Sequence, residues 1–314
     1  MTADADLLKD DVYRFIGREV RVRADSAHVL DHIRLVYARF HTARIDRSQP
    51  EPEGPLMEVT DDRRASGEMV IRDPFGTCRL LETDAYSQFT SQDAETGEID
   101  LVGFCDAATL LQTSVLQVAA RLATDHLLLH AGAVSRNGSG VVLVASPGHG
   151  KTTLVVSLIK SGWRFLSDEV ACLTADGSTI IPFPRSLILR PDTRSLLGLP
   201  EESMAPGPVP GSEDERIADI ETVRPDCLGT ACPLATVVFL RGFGERPRLE
   251  PLAASNGLFE LLRSRVDRPI DVGRLVYEVA PALDRARCFN LVVGEPDATA
   301  ALLTDLADGR APTP

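Results

Sequence analysis

LLLHAGAVSRNGSGVVLVASPGHGKTTLVVSLIKSGWRFLSDEV, residues Leu127–Val170, is the stretch whose reading decides the fold. Val141–Val144 is an apolar run of strand type, and the turn Ala145-Ser146-Pro147-Gly148-His149-Gly150-Lys151-Thr152 follows at once. From Lys151 to Lys160, Leu154, Val155, Leu158 and Ile159 recur at helical spacing, and Gly162 stands where a helix C-cap belongs. Strand, glycine-containing turn and helix together specify a phosphate site of the Walker A type. Backbone N–H groups of such a turn converge on one spot, where the helix dipole also favours negative charge. Gly148 and Gly150 allow the dihedrals and close approach that a phosphate cradle needs. Ser146, Gly148, His149, Gly150, Lys151, Thr152 and Thr153 are therefore the expected nucleotide-binding residues, with Lys151 reaching the β- and γ-phosphates and the Thr152 hydroxyl binding Mg²⁺. Ala145 replaces the first glycine of the usual pattern, a modest change because the cradle lies further along.

The flanks of this turn carry the candidate chemistry. Ala133–Ser135 and Val141–Ala145 read as two arms of a hairpin around Arg136-Asn137-Gly138-Ser139-Gly140, since Asn-Gly is a strong hairpin signal. His130 ends the apolar run Leu127–Leu129 one hairpin before the turn, and is either structural or part of the site. After the helix, Trp163–Leu166 is a short strand that delivers Ser167-Asp168-Glu169 to the sheet edge where phosphates would lie. Acidic residues there either hold Mg²⁺ or accept the proton of an attacking hydroxyl.

The composition restricts the partners. The 314 residues are 44% hydrophobic, 25% charged and 5% aromatic, as in soluble globular proteins, and suffice for one large core or two smaller ones. A net charge of -13 argues against nucleic acid or an anionic membrane as the main partner. Lysine occurs only at Lys9, Lys151 and Lys160, so the one inside the turn stands out. The cysteines Cys78, Cys105, Cys172, Cys227, Cys232 and Cys288 form no CxxC pair and read as free thiols of a cytoplasmic protein. The acidic start MTADADLLKDD has no apolar core of a signal peptide, and no run reaches the length of a membrane span.

Along the rest of the chain, Asp10–Val22 reads as a short helix leading into a strand at Glu19–Val22, and Ser26–Phe40 as an amphipathic helix opened by Asp25 or Ser26. His28, His32 and His41 lack the acidic partner pattern of a metal helix and read as surface or packed histidines. Ser48–Pro55 is a turn-rich break. Strands are expected at Leu56–Thr60, Glu68–Ile71, Cys78–Glu82 and Ile99–Val102, and a helix over Asp106–Leu122. Residues 1–122 thus form an N-terminal α+β region, 123–310 the nucleotide-binding catalytic domain, and 311–314 a flexible tail. Within the second, Arg185 and Arg190 flank an apolar strand, each either a phosphate clamp or a surface charge. Leu199–Arg216, rich in Pro, Gly and acid, is a linker or a mobile lid, and Arg224 beyond it is a candidate contact to nucleotide or peptide. Leu234–Leu240 reads as a buried strand, Leu258–Val266 and Ala298–Leu306 as helices, and Cys288–Val293 as a strand between them.

Taken together, His130, the strand-hairpin-strand, S-P-G-H-G-K-T-T, K-S-G-W-R-F and S-D-E resemble the catalytic core of HPr kinase/phosphorylases over about Leu127–Arg190. They resemble more closely the related kinases of bacterial gene clusters, including kinases of ribosomal peptides such as lasso peptides. The resemblance implies an α/β fold whose P-loop kinase core is similar to bacterial phosphoenolpyruvate carboxykinase, with the small α+β region before it. It implies that Lys151 binds phosphate, Thr152 binds Mg²⁺, and Asp168 takes the proton of the acceptor serine. His130 is implied near that aspartate and the γ-phosphate, and Glu169 as a second acidic residue at the metal. The family's further glutamate ligand has no counterpart in Ile181–Pro191, and its phosphorolysis motif is not recognisable.

Three functions fit this reading: an ATP- and Mg²⁺-dependent kinase of a serine in a peptide or small protein, a kinase of a small-molecule hydroxyl, and a non-catalytic ATP-binding regulator. The pairing of Asp168 with His130 favours the kinases, because a switch needs no base. Homo-oligomers are common in the family, and a homo-oligomer is a further expectation.

Overall fold

Ile16 and Gly17 both take positive φ, 49° and 77°, the geometry of a two-residue turn that matches the twist of paired strands. They join β1 (Lys9–Phe15) to β2 (Arg18–Ala24), which pair antiparallel from Asp11–Val22 to Phe15–Arg18. A hairpin therefore stands where a short helix leading into a strand at Glu19–Val22 was expected: the strand is present within β2, and the helix before it is not. Val12, Tyr13 and Phe15 prefer a pleated, half-buried surface, and Asp10 and Asp11 are buried against arginines. The Arg23 guanidinium grips Asp10 at 2.9 and 3.0 Å, and Arg34 grips Asp11 at 2.6 and 3.2 Å.

The computed structural model describes residues 9–46, 54–83, 87–103, 105–212, 214–264, 266 and 272–310. The chain divides into two compact units, Met1–Ala123 with Met204–Ile217, and Thr124–Ser203 with Ala218–Pro314.

In the first unit, α1 (Ala27–Val36) follows β2, ending in a 3-10 turn at Ala38–Phe40 rather than running as one helix to Phe40. Then come β3 (His41–Asp46), β4 (Leu56–Asp62), β5 (Glu68–Asp73), β6 (Gly76–Glu82), β7 (Ser87–Asp93), β8 (Ile99–Gly103) and α2 (Ala107–Leu122). The strands form one sheet in the order β3-β1-β2-β4-β5-β6-β7-β8. β1, β3 and β7 were not expected as strands; Ser87–Asp93 of β7 has one large apolar residue, Phe89. The Asp106 carboxylate caps α2 by accepting from the Thr109 N–H at 2.7 Å. Phe15 packs against Phe40 and Tyr37, with ring centroids 4.9 and 5.4 Å away. Each of the three histidines has its own partner: His28 pairs with Asp61 at 2.7 Å, His32 with Gln112 at 3.1 Å, and His41 with Asp11 at 3.5 Å. Ser48–Pro55 lies outside the described residues up to 53.

The second unit holds the Leu127–Val170 core. β9 (His126–Arg136) and β10 (Ser139–Ala145) form the expected hairpin, turning at Asn137 and Gly138 with φ of 52° and 77°. α3 (Lys151–Lys160) spans the predicted helix, and β11 (Arg164–Ser167) and β12 (Val170–Thr174) follow. β13 (Thr179–Ile181), β14 (Leu187–Leu189) and α4 (Pro191–Leu197) lead to the segment grouped with the first unit. That segment, Met204–Ile217, interrupts the stretch expected as one catalytic domain. It is internally structured: β15 (Ala205–Pro206) pairs with β16 (Arg216–Ala218), and the Ser212 hydroxyl donates to the Val209 carbonyl at 2.7 Å.

The chain then runs through β17 (Cys232–Phe243), β18 (Arg248–Leu252), α5 (Ala254–Arg263), α6 (Val272–Arg285), β19 (Arg287–Val293) and α7 (Pro296–Ala307). β18 and α6 were not expected, as each carries an interior proline, Pro251 and Pro281. The sheet order is β10-β9-β12-β13-β17-β19-β18, with β11 beside β9 and β10 also parallel to β17. One face buries Leu129, Ala131, Val142, Val144, Val237 and Phe239 against Leu261 of α5 and Leu283 of α6. The fold is mixed α/β, and among the described residues no helix is long and apolar enough to cross a membrane. None of the six cysteines forms a disulfide with another described residue.

Trp163 joins α3 to β11 and is fully buried, its indole N–H donating to the Thr304 hydroxyl of α7 at 3.0 Å. Replacing it by alanine empties the largest side chain of this core, and Trp163→Ala is expected to cost about 3–5 kcal/mol in urea unfolding.

Candidate active site

β10 and β11 flank β9 and both pair antiparallel with it, so both leave the sheet at the same edge. β10 delivers the turn Ser146–Gly150 to that edge, and β11 delivers Asp168 and Glu169. β9 passes between them, and the register Val170–His130 sets His130 beside the acidic pair. The His130 N–H donates to the Ser264 carbonyl, which anchors the strand there. Helix α3 lies close over this point because residue 132 is glycine. A Cβ there would stand 2.9 Å from Val155 Cγ2 and 3.5 Å from Lys151 Cγ.

The turn has the geometry of an anion cradle. Gly148 and Gly150 adopt φ of 80° and 81°, and Gly150 is the N-cap of α3 with no side chain capping the helix. The N–H groups of the first turn, which no helix can satisfy internally, are left to a ligand or water. The His149 ring lies 3.2 Å from the Ser146 carbonyl and closes the loop from outside.

Behind the cradle lies a compact charge cluster. The Lys151 ammonium donates to the Asp168 carbonyl at 2.7 Å and to Glu169 Oε2 at 2.8 Å. Glu169 Oε1 is 3.0 Å from His130 Nδ1, and the Arg185 guanidinium approaches Oε2 at 3.8 Å. Thr152 Oγ1 donates to Asp168 Oδ2 at 2.8 Å, while Asp168 Oδ1 is buried without a hydrogen-bond partner. The two carboxyls are pushed apart. Burial raises Asp168 above the ordinary aspartate value, against the opposing pull of Lys151. Burial also acts on Glu169, but Lys151, His130 and Arg185 outweigh it and hold Glu169 well below the glutamate range. Two carboxylates with divergent proton affinities are a basis for dividing acid–base labour.

His130, Lys151, Thr152, Asp168 and Glu169 thus meet at one place. Their pairing differs in detail from the expectation. His130 bonds to Glu169 rather than Asp168, and Glu169 is engaged by His130, Lys151 and Arg185. Arg185, left open between clamp and surface charge, is 6% exposed and faces the cluster, with its Nε buried and without a hydrogen-bond partner. Arg190 is exposed at the start of α4, and Arg224 donates to the Trp163 carbonyl, where it holds the strand entry. Thr153 follows Thr152 in the first turn of α3, half-buried.

Among the described residues, no group of three His, Cys, Asp or Glu side chains is arranged to hold a metal ion. The donors present nonetheless fit Mg²⁺, a hard cation that keeps waters and shares phosphate oxygens, so one or two protein oxygens suffice. The Thr152 hydroxyl and the unpartnered Asp168 Oδ1 are of that kind.

An ionised carboxylate with a raised folded pKa destabilises the fold. The cost is absent at low pH and grows as pH rises from the unfolded value of about 3.9 through the folded one. Asp168→Asn removes it, so the ligand-free variant is expected to melt above wild type at pH 7. That gain should shrink as the pH is lowered toward about 4.

No family model and no curated protein matches the chain. Among solved structures, the chain is similar to the Hpr(Ser) kinase/phosphatase from Coxiella burnetii at 14% sequence identity, over 58% of this chain and 95% of that one, with a TM-score of 0.31. That similarity amounts to a distant structural relationship at most.

Proposed function

We propose that the chain is an ATP- and Mg²⁺-dependent kinase that transfers the γ-phosphate to a hydroxyl, that of a serine in a peptide or small protein. The observation that carries this reading is the convergence of Lys151, Thr152 and the buried Asp168 carboxyl at the open N-terminus of α3, with Thr152 Oγ1 2.8 Å from Asp168. In phosphoryl transfer the protein positions the reactants and balances charge, with little covalent work.

Each group has a matching task. The glycine turn and the first-turn N–H groups hold the phosphate chain, and Lys151 turns from Glu169 toward it. Thr152 and Asp168 would hold Mg²⁺, which would supply charge neutralisation on the phosphates. Asp168 orients the acceptor hydroxyl and accepts its proton. Glu169 keeps His130 and Lys151 in place while remaining ionised. Arg185 adds positive charge where the transferred phosphoryl passes. A non-catalytic regulator has no use for a buried carboxyl whose ionisation costs stability, which favours the kinase over a switch.

Transfer of labelled phosphate from Mg²⁺ATP tests the proposal, with serine-bearing peptides encoded beside the gene and a panel of hydroxylated metabolites as acceptors. Lys151→Ala is expected to abolish nucleotide binding or turnover. Asp168→Asn should still bind ATP but lose transfer by about 10²–10⁴-fold, the range of a general base. Full transfer by Asp168→Asn would remove the base from this role. Labelling of metabolites alone would make the acceptor a small molecule, and ATP binding without transfer to any acceptor would leave a regulator.

A further inference from the structure

Phe243 ends β17 with 65% of its surface exposed, although it sits in a strand whose preceding residues are mostly buried. Its direction is set by a bulge. Val237 and Phe239 face the α5–α6 core, and the Arg241 guanidinium lies 5.4 Å over the Phe239 ring on that same face. Strict alternation would send residue 243 there too. Instead the pairing slips: Leu240 faces Leu291 and Phe243 faces Val293, three residues of β17 against two of β19. Gly242 absorbs the extra residue at φ 118°, a conformation that side chains resist.

The slip moves Phe243 to the opposite face, which α3 covers. Val155 of α3 lies over Gly132, Gly132 pairs with Leu143, and Leu143 pairs with Val238. Cross-strand partners share a face, so Val238, Leu240, Leu291, Val293 and the re-aimed Phe243 all lie on the α3 side. There the ring meets the phosphate turn: a Cβ at Gly150 would stand 3.2 Å from Phe243 Cε1. Gly150 therefore gives φ freedom to the turn and room to the ring.

We propose that Phe243 is the platform on which the nucleobase of the bound nucleotide stacks, an inference that rests on the nucleotide reading of the site. An aromatic ring held beside a phosphate cradle and otherwise exposed offers an apolar face to a flat partner. A base tethered to those phosphates is such a partner. Stacking reads the π-face of a base and not its hydrogen-bonding edge, so this platform accepts adenine and guanine alike.

Calorimetric titration of Phe243→Ala, Phe243→Leu and Phe243→Tyr with Mg²⁺ATP, Mg²⁺GTP and inorganic Mg²⁺tripolyphosphate tests this. The Ala and Leu variants should lose about 10-fold in affinity for both nucleotides, the order of one aromatic–base stack, while the Tyr variant keeps it. Tripolyphosphate, which has no base, should bind all four proteins equally. Equal losses for tripolyphosphate and ATP would show that the ring only supports the turn. Unchanged ATP affinity with a raised KM for the acceptor would assign the ring to the acceptor instead, and either result overturns the proposal. Failure of the wild type to bind ATP would sink the nucleotide reading itself, whereas wild-type binding with an indifferent Phe243→Ala would sink only the stacking.

Discussion

The ammonium of Lys151, held between the Asp168 carbonyl and the Glu169 carboxylate, is the contact on which the site depends. It ties the first turn of α3 to the residues leaving β11, two segments separated by the whole helix. Its charge also decides the proton affinities of its neighbours. Burial pushes both carboxyls upward; Lys151, with His130 and Arg185, holds Glu169 well below the glutamate range while Asp168 remains raised. In the ligand-free protein Lys151 is paired internally with Glu169, so no buried cation is left bare. Under the proposed function a phosphate chain would compete with Glu169 for Lys151.

The glycines around this contact serve different constraints. Gly148 and Gly150 supply positive φ to the turn. Gly132 supplies space, letting α3 approach β9 until Val155 and Lys151 reach the sheet. Gly242 supplies the bulge that turns β17 at its exit. Gly148, Gly150 and Gly242 lie within or next to a strand end at the same sheet edge, where α/β proteins place ligands, and Gly132 lies inside β9. In the first unit the comparable device is electrostatic. Asp10 and Asp11 are buried in β1 because arginines on neighbouring elements enclose them. Removing one partner of such a pair strands a buried charge, which is more costly than the pair is stabilising.

How far the sequence could be read follows from the range of the forces involved. Local chemistry determined the strand-turn-helix of Val141–Lys160, the Asn137-Gly138 hairpin, the strand before Asp168 and the capped helix after Asp106. In each, the deciding interaction lies within a few residues: a helical period, a positive-φ pair, or an N-cap. The same locality misled at Asp10–Val22, where a helix was expected before the strand and the arginine partners of Asp10 and Asp11 lay up to 33 residues away. Interior prolines hid β18 and α6, since packing outweighed local propensity there.

Tertiary structure alone decided which charged groups face one another. The sequence placed His130, Lys151, Thr152, Asp168 and Glu169 in one neighbourhood, but not that His130 would bond to Glu169, nor that Asp168 would keep one oxygen unpartnered. It left Arg185 undecided, because burial of a guanidinium depends on what folds over it. It gave no sign of Phe243, whose direction rests on a one-residue slip between strands far apart in the chain. Residue types and local periods are written along the chain. Burial, register and the balance of charge arise only when distant segments share one low-dielectric space.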